Sequence, residues 1–75
     1  MTRKSIYSNK HRFLTQQLRK ARLEANLTQK EVADTLGKTQ SYISKVETGQ
    51  LRIDIIQLEQ FASIYKKKLE YFISK

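Results

Sequence analysis

An all-α domain of five short helices is the fold this sequence predicts, on three observations. Its 75 residues include no proline and only two glycines, Gly37 and Gly49, so the few helix breakers present carry information. Apolar residues recur at spacings of three and four along several segments, which is the period of one helix face. No stretch alternates with the two-residue period of a strand for long enough to compete.

The elements follow in chain order. Leu14, Leu18, Ala21 and Ala25 line one face of a helix over residues 8–25 that ends near Asn26. Thr28-Gln29-Lys30-Glu31 has the capping-box pattern, in which hydroxyl and carboxylate satisfy each other's free backbone amides. It opens a helix over residues 29–36, and Gly37 closes it by entering the left-handed region without steric penalty. Thr39 then caps a helix over residues 40–48, closed in the same way by Gly49. Two short helices joined by the turn Gly37-Lys38-Thr39 form a helix-turn-helix. Asp54 caps a helix over residues 55–65 that buries Leu58, Phe61, Ala62 and Tyr65, with Lys66 to Lys68 at the negative end of its dipole. A last helix over residues 69–73 carries Tyr71 and Phe72. The organisation is one domain over residues 8–75, preceded by a flexible basic arm over residues 1–7.

Charge narrows the partner. Fifteen Lys and Arg against seven Asp and Glu give a formal net charge of +8, and the first acid is Glu24. Arg3, Lys4, Lys10, Arg12, Arg19, Lys20 and Arg22 all precede it. Such a balance points to a polyanionic partner, the alternative being solubility alone. The absence of cysteine removes disulfides and thiolate metal sites, and His11 is the single histidine. No convergent carboxylate pair or phosphate-cradling glycine loop is present, so neither an enzyme nor a bound cofactor is expected. No apolar run approaches the roughly 18–20 residues of a membrane span, and the basic start lacks the apolar region of a secretory signal. The expected location is the cytoplasm, associated with the nucleoid.

The helix over residues 40–48 has two unlike faces. Ile43, Val46 and Glu47 share one arc, which Ala33 and Leu36 can meet from the preceding helix, Ala33 being small enough to permit a close, steep crossing. Ser41, Ser44, Lys45 and Thr48 occupy the other arc, with Gln40 projecting from the first turn. A solvated face is usually crowded with Glu and Lys, whereas this one has no acid. Short polar side chains can lie flush in a major groove, where glutamine can read adenine and lysine can reach guanine. Glu47, on the apolar arc, needs a cation if it is buried, and Arg22 on the inner flank of the first helix is the candidate. The alternative is that Glu47 swings to solvent.

The segments Leu18-Arg-Lys-Ala-Arg22, Leu27-Thr-Gln-Lys-Glu-Val-Ala33, Leu36-Gly37 and Gln40-Ser-Tyr-Ile-Ser-Lys-Val-Glu-Thr-Gly49 together resemble the Cro/Xre-type helix-turn-helix family, the lambda-repressor-like DNA-binding domain. The resemblance extends over residues 10–73. It implies that Gln29 contacts a DNA phosphate and steadies Gln40, while Gln40, Ser41, Ser44 and Lys45 face bases and nearby phosphates. Further phosphate contacts are expected from Thr28, Lys38, Thr39, Tyr42 and Thr48, and from Gln50 and Arg52 beyond Gly49. The Arg22–Glu47 pair matches a salt bridge of the family. Where many members have a proline or a longer loop after the second glycine, this chain runs directly through Leu51-Arg-Ile-Asp54.

Tight binding by such a domain usually needs two copies on half-sites about 34 Å apart, so a homodimer on palindromic double-stranded DNA is expected. Ile56, Ile64, Leu69, Phe72 and Ile73 are the candidate interface, unless the last helix folds back over Ile56 and Ile64. Arg3, Lys4, Lys10 and Arg12 either add an arm on the DNA or form a solubilising tail. The regulatory contexts are a repressor, a restriction–modification controller or an antitoxin, with a toxin or RNA polymerase as a possible protein partner. The competing class is a protein-binding adaptor on the same fold.

Overall fold

The structure, a computed structural model, describes residues 9–73. The basic arm predicted over residues 1–7 and the helix start predicted at Ser8 lie outside the described residues. Five helices follow one another: α1 (Asn9–Glu24), α2 (Gln29–Leu36), α3 (Gln40–Glu47), α4 (Ile55–Tyr65) and α5 (Glu70–Ile73). No strand occurs among the described residues. Apart from the start of α1, their ends differ from the sequence-based ranges by a residue at most, within the fraying of helix termini.

The first four helices end alike. Asn26, Gly37, Gly49 and Lys66 have φ of 60°, 71°, 84° and 58°, the left-handed region. Each donates its amide three residues back, and the next residue donates five back. The second bonds are Leu27 to Arg22 (3.2 Å), Lys38 to Ala33 (2.8 Å), Gln50 to Lys45 (2.9 Å) and Lys67 to Ala62 (2.9 Å). This paired arrangement satisfies carbonyls that a helix end leaves open, and turns the chain sharply. Lys66 does so without being glycine.

The starts are as local. Thr28 and Glu31 form a reciprocal capping box, Thr39 accepts from the Tyr42 amide, and Asp54 and Gln57 form a second box. With Gly37 closing α2 and Thr39 opening α3, the turn between them is three residues long, which sets the position of α3 against α2.

α1 packs against α3, α4 and α5, while α2 packs mainly on α3. The core consists of Leu18, Ala21, Val32, Ala33, Ile43, Val46, Leu58, Phe61, Ala62, Tyr65 and Phe72. The smallness of Ala33 lets α3 approach α2 closely. At the far end, Lys67 pairs with Glu24 (3.0 Å) and lies over the Tyr71 ring, while the Gln17 amide donates to the Tyr71 carbonyl (2.9 Å). α5 is thereby held on α1. Phe72, expected at a dimer interface, is instead fully buried at 0% exposure, because α5 is too short to bury its aromatic anywhere but in the shared core. Within that core the Tyr65 hydroxyl has no hydrogen-bond partner among the described residues. Burial, and next the charge of Glu47, push its pKa well above the ordinary phenol value.

Candidate nucleic-acid interface

The inner face of α3 is fastened by a chain of polar contacts. Glu47 accepts from Arg22 Nε at 2.7 Å and from Arg22 Nη2 at 3.1 Å, a two-pronged pair whose side chains are only 9% and 3% exposed. Arg22 Nη1 also donates to the Leu27 carbonyl (2.9 Å), which ties the end of α1 to the entry of α2. The hydrogen bonds to Glu47 raise the Arg22 pKa further, against the opposing effect of burial. The same carboxylate accepts from Gln29 Nε2 (3.2 Å), and Gln29 Oε1 in turn accepts from Gln40 Nε2 (3.5 Å). α1, α3 and α2 are thus linked in sequence to the first residue of α3. Because Gln29 donates to Glu47, its amide orientation is fixed, and it can only accept from Gln40.

Gln40, Ser41 and Lys45 are exposed on the opposite face, with Ser44 half-buried beside them. None of these four positions is acidic. Glu24, Asp34 and Glu47 are in ion pairs, and Glu31 and Asp54 cap helices. Lys45 is the one charged side chain among these four, and it has no ion-pair partner among the described residues.

The residues predicted to meet phosphate fall into distinct groups. Thr28, Gln29, Thr39 and Gln40 stand at the starts of α2 and α3, where the first amides have no partner within the helix and the dipole is positive. Both threonine oxygens accept a backbone amide, so their hydroxyl hydrogens remain for an outside acceptor. Lys38 lies over the Tyr42 ring at 5.2 Å. Tyr42 accepts from Gln57 Nε2 (3.0 Å) and keeps its hydrogen to donate; burial, with the Asp54 charge second, raises its pKa and holds it protonated. Thr48 stands apart. Its hydroxyl donates back to the Ser44 carbonyl (3.0 Å) and accepts from Gln50 (3.1 Å), so in this rotamer it offers phosphate no donor. Gln50 and Arg52 are exposed in the segment beyond.

The predicted dimer residues do not form one surface. Ile56 and Ile64 line a hollow with Leu36 and Thr35, between α4 and the end of α2. Ile73, with Phe72 beneath it, lines a different hollow beside Lys10, His11 and Leu14. Leu69 is half-buried against the core. α5 does not fold over Ile56, which remains 59% exposed.

Two contacts were not read from the sequence. Asp54-x-x-Gln57 has the same reciprocal pattern as the box at Thr28, so Gln57 was legible as a cap. Its bond to Tyr42, which joins α4 to α3, was not. His11 Nε2 donates to the Gly49 carbonyl (3.3 Å) across 38 residues, and no local signal marks it. Lys10 and Arg12, grouped with a flexible arm by their charge, are residues of α1.

Among the described residues no helix is long and apolar enough to cross a membrane. No curated protein matches the chain. A family model described as helix-turn-helix matches residues 18–72, from the middle of α1 into α5. With its helices, turn and polar outer face arranged as above, the chain belongs to the Cro/Xre-type helix-turn-helix family of DNA-binding domains.

Proposed function

We propose that this protein is a sequence-specific regulator of transcription that reads double-stranded DNA through the major groove with α3, two copies binding a palindromic operator. The observation that carries the reading is the chain of contacts from Arg22 through Glu47 and Gln29 to Gln40. Here the arrangement presents Gln40 to a base edge already oriented, which lowers the ordering cost of binding. Gln40, Ser41, Ser44 and Lys45 read bases. Thr28, Gln29, Lys38, Thr39, Tyr42, Gln50 and Arg52 hold the sugar-phosphate backbone and set the register. Thr48 joins them only by rotating its hydroxyl away from α3.

Dimerisation is assigned to the hollow holding Ile56 and Ile64, since an isoleucine as exposed as Ile56 next to an apolar hollow favours a covered state. The same exposure favours a second reading, in which a toxin or another regulatory protein occupies that hollow. Selection of bound duplexes from a random pool tests the proposal. A two-fold symmetric motif supports it, and recovery of no motif, with binding abolished by modest salt, overturns it.

A further inference from the structure

We infer that the N-terminal half of α1 is a second anchor on the DNA backbone, with Arg12 and Gln16 gripping a phosphate beyond the C-terminal end of α3. The inference rests on the DNA-binding reading above. It concerns residues 9–17, which precede the region matched by the family model.

The need for such an anchor comes from α3 itself. An eight-residue helix is about 12 Å long, close to the roughly 12 Å width of the major groove. When its first turn lies near one phosphate strand, its last residues come near the other. The two ends are electrostatically opposite. The first turn attracts phosphate, whereas the C-terminal carbonyls repel it. Thr48, the residue at that end, has its hydroxyl turned inward. Donors beyond those of Gln50 and Arg52, in the segment that follows, must therefore come from another element.

α1 supplies them. Arg12, Thr15, Gln16 and Thr48 line one hollow at the exit of α3. Thr15 donates its hydroxyl to the Arg12 carbonyl (3.0 Å), so it offers the hollow no hydrogen either. The donors facing outward are the Arg12 guanidinium and the Gln16 amide. Neither has a hydrogen-bond or ion-pair partner among the described residues, and both side chains are exposed one helical turn apart. A guanidinium fork beside an amide fits the oxygens of a phosphodiester.

The position is also rigid. The bond from His11 to the Gly49 carbonyl pins α1 to the turn that follows α3. Arg12 is adjacent to that bond, and on the other side Lys10 and Arg52 line the neighbouring hollow. Among the described residues, no carboxylate lines either hollow. The occupant that matches a fixed basic surface continuous with α3 is the DNA backbone.

The test compares Arg12→Gln, Gln16→Ala and the control Lys66→Gln. The control removes the same charge at the opposite end of α1, where Lys67 meets Glu24. Affinity is measured across a range of salt on arbitrary duplex DNA and on the selected operator, with thermal melting to confirm folding. Arg12→Gln is expected to weaken binding roughly tenfold on both DNAs and to reduce the slope of log K against log salt by about one per bound copy. Gln16→Ala is expected to lower affinity without changing the slope. Ethylation interference should lose one sensitive phosphate per half-site in Arg12→Gln. If Arg12→Gln changes affinity and slope no more than Lys66→Gln, the anchor is refuted. A wild-type protein that selects no sequence would overturn specific reading while leaving this comparison intact, because a backbone contact is independent of sequence. A wild-type protein that binds no duplex at all would overturn both.

Discussion

Replacing Glu47 with alanine removes the carboxylate on which α1, α2 and α3 converge. Three hydrogen bonds disappear together, two from Arg22 and one from Gln29. Arg22 keeps only the Leu27 carbonyl, with its side chain 9% exposed. A buried charge stripped of its counter-ion destabilises by about 3–5 kcal/mol. A 75-residue domain has roughly 4–11 kcal/mol in all, at about 0.05–0.15 kcal/mol per residue. The variant should therefore lose roughly a quarter or more of its stability and show a much lower urea midpoint by circular dichroism. Removing both charges, as Arg22→Met with Glu47→Leu, should recover most of the loss, because apolar isosteres need no partner. Added salt should change the difference between wild type and Glu47→Ala little, since a pair this buried is poorly screened. A loss below about 1 kcal/mol for Glu47→Ala would place the pair in the class of surface ion pairs and refute the reasoning.

Three further outcomes can be measured. Tyr65→Phe removes a buried hydroxyl without a partner, so it should raise stability at neutral pH by about 1 kcal/mol. Because the folded-state pKa of Tyr65 lies above its unfolded value of 10.0, the wild type binds its proton more tightly when folded; its stability is level below that pH and falls above it, and the variant should lose much of that alkaline slope in denaturation curves. Ala33→Leu should destabilise by about 1–3 kcal/mol through overpacking where α2 and α3 cross, with a lowered melting temperature as the readout. Lys66→Gly should stabilise by roughly 1 kcal/mol, since glycine enters the left-handed region without the penalty that lysine carries; an unchanged urea midpoint would contradict that account.

The helices were legible because their signals are local. Thr28, Thr39 and Asp54 declare the starts, and Gly37 and Gly49 declare two of the ends. Lys66 closes α4 with the same geometry but without a residue that advertises it, since lysine enters the left-handed region only when the surrounding fold compensates. The Arg22–Glu47 pair was legible for a different reason. A carboxylate on an apolar arc is an anomaly, and only one cation lay on the facing flank of α1. Contacts such as His11 to Gly49 and Gln57 to Tyr42 join surfaces that come together only after the helices pack, so no spacing encodes them. Phe72 was misplaced for the same reason. Its helix is too short for periodicity to say which side faces inward, and docking of α5 on α1 decides the matter.

The shared carboxylate of Glu47 has a consequence for how the domain can change over evolutionary time. Ser41, Ser44 and Lys45 make none of the contacts that fasten α3, so their side chains can be exchanged to favour new operators with little effect on folding. Gln40 is bound into the framework through Gln29, and altering it disturbs the partners behind it. The outer surface of α3 is therefore divided into positions open to retargeting and one position constrained by the scaffold. A lineage of such regulators would diversify in the sequences it recognises by varying 41, 44 and 45, while Gln29, Gln40 and Glu47 change together or not at all.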